Sequence, residues 1–321
     1  MTYLLLLVGF VLLVMGGDYL VRGGSQLSVL AGVSPLLIGL GVASLGTSAP
    51  EAAVSIKAAL SGHSTVSFGN IIGSNVANIG LALSLPALIF GLPRSDSVTW
   101  KEIPYSFLAA LMLMLFSMDW WMRGAAHTLS RLEALVLLAM FAAYLYYLML
   151  MARSDRRKLL AEEEVSKVER KPSNFLTASA MTLGGIGGVV LGGHLTVDNA
   201  VLIARNWGVS ETLISVTVVA LGTSLPEVAT TVSAARHKQW DMALGNVIGS
   251  NIFNILFVLG LTAAIKPIAF PVHALVDLFV VLGITIVLFI FMASSKKTSR
   301  IEGLLLLLIY FGYVAFVVVR K

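Results

Sequence analysis

The sequence predicts an all-α membrane protein: ten transmembrane helices arranged as two inverted five-helix repeats. Three observations carry this. Of 321 residues, 57% are hydrophobic and only 12% are charged. Soluble domains carry about 25% charged residues, and a soluble helical protein could not cover its surface with so few. Residues 32–80 recur at 208–256 with a constant offset of 176, and 23 of the 49 aligned positions are identical without a gap. Finally, each half holds five apolar runs near the roughly 20 residues that cross a bilayer. An odd number of spans per half makes the second half enter the membrane from the opposite side.

The spans of the first half are expected at 2–21, 33–60, 68–92, 99–118 and 128–151. Those of the second half are expected at 174–197, 209–235, 243–270, 272–293 and 300–319. The opening run MTYLLLLVGFVLLVMGG lacks a basic leader and a small-residue cleavage site, so it reads as the first membrane helix rather than a signal peptide. The chain divides into an N-terminal half, 1–152, a linker, 153–173, and a C-terminal half, 174–321. Seven Lys or Arg in 153–172 place the linker in the cytoplasm and both termini outside. The remaining loops agree. Those assigned inside carry Arg22, Arg94, Lys101, Arg236, Lys238, Lys296, Lys297 and Arg300, against Arg123, Arg131, Arg205 and Lys266 outside. The net charge of +5 therefore reports orientation, not nucleic-acid binding. With no cysteine, disulfides and thiolate metal sites are excluded.

The polar residues inside apolar runs carry the chemistry. The repeats share GTSAPE at 46–51 with GTSLPE at 222–227, followed by GNIIGSNVANI from Gly69 and GNVIGSNIFNI from Gly245. Glu51 and Glu227 are carboxylates at membrane depth, where a charge needs a partner. No Lys or Arg in the repeats is placed to pair with either. The missing counter-charge points to a bound cation.

Thr47 and Ser48 share a helical face with Glu51, as Thr223 and Ser224 do with Glu227. Asn70, Ser74 and Asn78 form a stripe at spacing four, repeated as Asn246, Ser250 and Asn254. Pro50 and Pro226 remove helical donors and free carbonyls near Gly46–Thr47 and Gly222–Thr223. Carboxylate, hydroxyl, amide and carbonyl oxygens suit hard cations such as Ca2+ and Na+. Glycines 69, 73, 245 and 249 are expected to admit a neighbouring helix closely. Asp18–Arg22 and His273–Asp277, each four apart, read as local pairs.

These motifs resemble the two alpha repeats of the cation/calcium exchanger superfamily, and among them the prokaryotic sodium/calcium exchanger branch. The resemblance covers essentially the whole chain. It implies an antiporter, not an enzyme, that exchanges Na+ for Ca2+ by alternating access and uses no cofactor. Its four central sites would lie between the second, third, seventh and eighth helices. By that resemblance Glu51 and Glu227 bind Ca2+, with Thr47 and Thr223 adding backbone oxygens. An outer Na+ site would use Glu51, Ser74, Thr223, Ser250 and the Ala220 carbonyl. An inner one would use Thr47, Ser74, Ser224, Glu227 and the Ser44 carbonyl, with Ser48 on the same face as Glu51. Asn78 and Asn254 would line the middle. Several relatives of this kind carry Asp where this chain has Asn254. The chain is expected to work as a monomer in lipid, in the cell (inner) membrane, with its first and sixth helices sliding against the rest. A Ca2+/H+ antiporter, a K+-dependent Na+/Ca2+ antiporter and a cation channel are the alternatives.

The topology is checked by labelling single cysteines in this cysteine-free chain with an impermeant reagent. Ser166→Cys is expected to react only from the cytoplasm and Thr2→Cys only from outside; reaction of both from one side rejects the five-plus-five arrangement.

Overall fold

The computed structural model describes residues 1–123, 128–162, 172–208 and 220–320. Within them the chain is a stack of long helices. In order these are α1 (Thr2–Ala31), α2 (Pro35–Thr47), α3 (Ala49–Leu60), α4 (Ser64–Phe90), α5 (Val98–Met118) and α6 (Arg131–Glu162). They are followed by α7 (Pro172–Asn206), α8 (Leu225–Arg236), α9 (Trp240–Ile265), α10 (Ala274–Ser294) and α11 (Arg300–Val319). Eight are long and apolar enough to cross a membrane, and the bent pair α2–α3 gives a ninth among the described residues. A single turn, Ala220–Gly222, precedes α8, and the part of the expected span at 209–219 lies outside the described residues. So does 163–171 of the linker, whose first part simply continues α6 to Glu162.

Most helices keep their expected positions. Three run on past their expected ends: α6 to Glu162 rather than 151, α7 to Asn206 rather than 197, and α1 to Ala31 rather than 21, stopping where Gly32 turns left-handed, φ 69°. The glycine pair Gly23–Gly24 does not break it, because both residues are buried in packing. α1 and α7 lie antiparallel along a seam of small residues at seven-residue steps. Gly9 meets Thr196, Gly16 meets Val189 and Gly23 meets Thr182. A Cβ on Gly16 would fall 2.6 Å from the Val189 backbone nitrogen. Such backbone-to-backbone contact is how helices associate where lipid removes the hydrophobic drive.

The centre of the molecule is formed by α4 and α9. Their most apolar stretches are each 78% buried, against 17% for α11 and 28% for α6. Phe68, Ile72, Val76 and Leu83 of α4 and Leu244, Ile248, Ile252 and Leu256 of α9 belong to one core. Glycines bring α2 onto α9, since a Cβ on Gly245 would sit 2.7 Å from the Leu36 carbonyl and one on Gly249 2.7 Å from the Leu40 carbonyl. The expected role of Gly69 and Gly73 is not seen: nothing among the described residues lies within 4 Å of a Cβ there.

Two short ribbons tie loops of the two halves. Leu92–Pro93 (β1) pairs antiparallel with Lys297–Thr298 (β4), and Thr128–Leu129 (β2) with Ile268–Ala269 (β3). Two local pairs are corrected. Asp18 accepts a hydrogen bond from Ser233 of α8 and lies 3.8 Å from His237, whereas Arg22 reaches His237 at 3.4 Å. Asp277 pairs with Arg320 and accepts a bond from Tyr313, not from the His273 side chain. In both cases a tertiary partner outcompetes the neighbour one turn away.

The seam predicts its own sensitivity. Gly16→Val is expected to cost roughly 1–3 kcal/mol by forcing the backbones apart and to lower the thermal midpoint in detergent. Gly187→Ala, which meets no atom of the described residues within 4 Å, is the control and should not lower that midpoint.

Candidate cation-binding site

Both motif helices are broken where the acids sit. α2 ends at Thr47, Ser48 is non-helical at φ −84° and ψ 7°, and α3 restarts at Ala49 with a 44° bend. α8 restarts identically after Ser224, at φ −87° and ψ 1°. Pro50 and Pro226 occupy the opening turns of the new helices, where a missing N–H costs nothing. Glu51 and Glu227 therefore lie not in mid-helix but in a first turn, where the helix dipole favours negative charge. Pro50 and Pro226 cannot donate to Gly46 and Gly222, as expected.

The cited oxygens converge. Glu51, Glu227, Thr47, Ser48, Ser224, Ser250, Asn78, Asn254 and Ser44 have no exposed surface, and Ser74 has 1%. Thr223 is half-buried. Ser74 donates to Glu51 Oε1 at 3.4 Å, and its repeat counterpart Ser250 donates to Glu227 Oε1 at 3.5 Å. Ser48 crosses between the halves to donate to Glu227 Oε1 at 2.8 Å. Ser74 and Thr223 hydroxyls lie 3.5 Å apart. The Ser44 carbonyl accepts the Ser48 N–H at 3.0 Å and lies 3.5 Å from the Thr47 hydroxyl. Ala220 opens the turn before α8.

Asn70 and Asn246 act as clamps. Asn70 donates to the Glu51 carbonyl at 3.3 Å and to Ser55 at 3.0 Å; Asn246 donates to the Glu227 carbonyl at 3.5 Å and to Thr231 at 3.1 Å. Their Oδ1 atoms receive the Thr223 hydroxyl at 3.5 Å and the Thr47 hydroxyl at 3.3 Å. The stripes of Asn and Ser thus hold the first turns of α3 and α8 against α4 and α9.

Sequence reasoning missed Asn75 and Asn251, which join the two repeats, and the hydroxyls of Ser55 and Thr231. The signal was present, because each pair stands 176 residues apart. What concealed the asparagines was helical spacing: neither lies on the four-residue stripe.

Among the described residues neither carboxylate has an ion-pair partner. Glu51 Oε2, Glu227 Oε2, Asn78 Oδ1, Asn254 Oδ1 and the Ser224 hydroxyl are buried with no hydrogen-bond partner there. A buried unpaired acceptor is costly. Four such acceptors in repeat-related pairs fit a hard cation. No cluster of three His, Cys, Asp or Glu side chains exists among the described residues, so the donor set is mixed oxygen rather than that of a transition metal. A cavity of about 480 Å³ runs beside the site, lined by Pro50, Gly222, Thr223 and Pro226 and by His194, Asp198 and Arg205 of α7.

Comparison with known proteins identifies the family and the fold. The family model described as sodium/calcium exchanger protein matches residues 1–150 and 177–319. The chain is 33% identical to the putative antiporter CaxA of Alkalimonas amylolytica over 96% of its own length and 95% of that protein's. It is 32% identical to the sodium/calcium exchanger MaX1 of Methanosarcina acetivorans over 99% and 98%. It is 35% identical to the inner membrane protein YrbG of Escherichia coli over 82% and 79%. Among solved structures, the sodium-calcium exchanger NCX_Mj soaked with 100 mM Na+ and 10 mM Sr2+ superposes with a TM-score of 0.83 at 30% identity, covering 98% of this chain and 97% of that one.

Removing one carboxylate leaves a single negative charge facing a divalent ion. Glu51→Gln and Glu227→Gln are each expected to cost about 3 kcal/mol or more, roughly a hundredfold in Ca2+ affinity, with an unchanged gel-filtration profile. Direct Ca2+ titration of purified protein checks it; near wild-type affinity in either variant removes that residue from the site.

Proposed function

The chain belongs to the sodium/calcium exchanger protein family, and we propose that it exchanges Na+ for Ca2+ across the membrane by alternating access through the carboxylate site. It is a multi-pass membrane antiporter, not an enzyme, and its ions are cargo rather than cofactors. The observation that carries the reading is the set of unpaired buried oxygens, two carboxylate and two amide, on repeat-related residues.

Charge balance supplies the coupling. Two ionised carboxylates are neutralised by one Ca2+ or by two Na+, and a third Na+ leaves the site with one net positive charge. Both loads use Glu51 and Glu227, with hydroxyls of Ser48, Ser74, Thr223, Ser224 and Ser250, amide oxygens of Asn78 and Asn254, and backbone oxygens of Ser44, Thr47, Ala220 and Thr223. Sharing makes the loads mutually exclusive. An unloaded site would carry two uncompensated charges through the membrane, which is costly, so only loaded forms change access.

The topology is ten spans in two inverted halves, 1–152 and 174–321, joined by the cytoplasmic linker 153–173, with both termini outside an inner membrane. The ribbons support it. Leu92 and Ile268 are repeat equivalents, 176 residues apart. α5 crosses the membrane between β1 and β2, and β2 pairs with β3, so β1 and β3 fall on opposite sides, as inversion requires. The cavity between α7 and the broken helices then opens outward. Access changes by sliding α1 and α7 against the remaining helices, within one monomer.

Proteoliposome flux tests the reading. An outward Na+ gradient is expected to drive saturable uptake of radiolabelled Ca2+ without added K+. Uptake driven by a pH gradient alone would identify a Ca2+/H+ antiporter, and uptake that does not saturate would identify a channel.

A further inference from the structure

Asn75 and Asn251 sit where α4 and α9 cross, one turn before Asn78 and Asn254. Both are 1% exposed. Asn75 Nδ2 donates to the Asn251 backbone carbonyl at 3.2 Å, and Asn251 Nδ2 returns the bond to the Asn75 carbonyl at 3.3 Å. A backbone carbonyl can only accept, so these two bonds fix which end of each amide is nitrogen. Each Oδ1 is then turned the other way. Asn251 Oδ1 receives Asn78 Nδ2 at 3.0 Å, and Asn75 Oδ1 receives Asn254 Nδ2 at 3.2 Å. That in turn leaves Asn78 Oδ1 and Asn254 Oδ1 as the unpaired ends.

We propose that Asn75 and Asn251 are positioning residues that set ion specificity: they hold the amides of Asn78 and Asn254 with oxygen, not nitrogen, toward the cation. The inference rests on the reading that Asn78 and Asn254 line the ion site. An amide free to rotate would spend part of its time presenting NH2, which repels a cation. Held as it is, each amide offers one neutral oxygen of fixed direction. The same arrangement selects against a carboxylate in the middle of the site. At 254 an Asp would set an acceptor against Asn75 Oδ1, and at 78 against Asn251 Oδ1. The neutrality of this site is thus enforced from residues one turn away.

The selection is symmetric because the network is. Every bond has a repeat counterpart, and the four residues join the halves without contributing an oxygen of residues 75 or 251 to the ion. Adjacent first turns place the network beside the ligands of both carboxylates, since Ser74 and Ser250 precede the two asparagines directly.

A double-mutant cycle tests the proposal by Ca2+ and Na+ titration of purified full-length protein. Asn75→Ala is expected to weaken binding about tenfold. Asn254→Asp adds charge but meets Asn75 Oδ1; in the Asn75→Ala background that opposition is gone, so Asn254→Asp should raise Ca2+ affinity about tenfold more there than in the wild-type background. The charge gain is common to both backgrounds and cancels. An identical effect of Asn254→Asp in both backgrounds overturns the positioning role while keeping 254 in the site. No effect in either background means that residue 254 does not face the ions, which overturns the underlying site reading instead. Asn251→Ala with Asn78→Asp repeats the cycle on the other half and decides the matter should one set of variants fail to fold.

Discussion

Two carboxylates buried in a membrane without a basic partner constrain everything around them. A charge at membrane depth has to be compensated, and here no ion-pair partner is found for Glu51 or Glu227 among the described residues. The protein meets part of the cost with helix ends and hydroxyls. Breaking each helix just before Pro50 or Pro226 presents a helix N-terminus to the acid one residue on. Ser48, Ser74 and Ser250 donate to only one oxygen of each carboxylate. The other oxygen of each has no hydrogen-bond partner among the described residues.

The duplication does more than double the ligands. The contacts across the centre are reciprocal, residue for residue: Asn75 with Asn251, Asn78 with Asn251, Asn254 with Asn75. Reciprocity of this kind is what a two-fold relation imposes on an interface. It is not perfect. Ser48 reaches Glu227, while the hydroxyl of its counterpart Ser224 has no partner among the described residues. The π-helical turns beginning at Asn78 and Asn254 occur at the same step of each repeat. They belong to the irregular backbone that membrane proteins tolerate where a cavity or an ion uses it.

Glycines set two close helix contacts. Gly245 and Gly249 lock α2 onto α9 through backbone contacts beside the ligands. The α1–α7 seam is equally close, since a Cβ on Gly16 would fall 2.6 Å from the Val189 nitrogen. Asp18 with Ser233 connects that pair to the helix carrying Glu227.

The sequence by itself determined the membrane-spanning helices, the doubling, and the oxygen inventory around Glu51 and Glu227. These follow from local composition and from an unbroken 176-residue offset, which need no knowledge of neighbours. Helical spacing named Thr47, Ser48, Ser74 and their counterparts but not their partners: Ser48 donates to Glu227 rather than to Glu51, and Thr47 to Asn246. Tertiary structure alone decided the rest. Periodicity names a face, not the partner across it, so it could not tell that Asp18 prefers Ser233 to Arg22, or that Asp277 prefers Arg320. Nor could it show that the acids occupy new first turns, because a proline pattern is compatible with either a kink or a restart. Which amide oxygens remain free was the least legible feature. That depends on a chain of hydrogen bonds linking residues 173 to 179 apart, and only the folded crossing of α4 and α9 brings its members within reach.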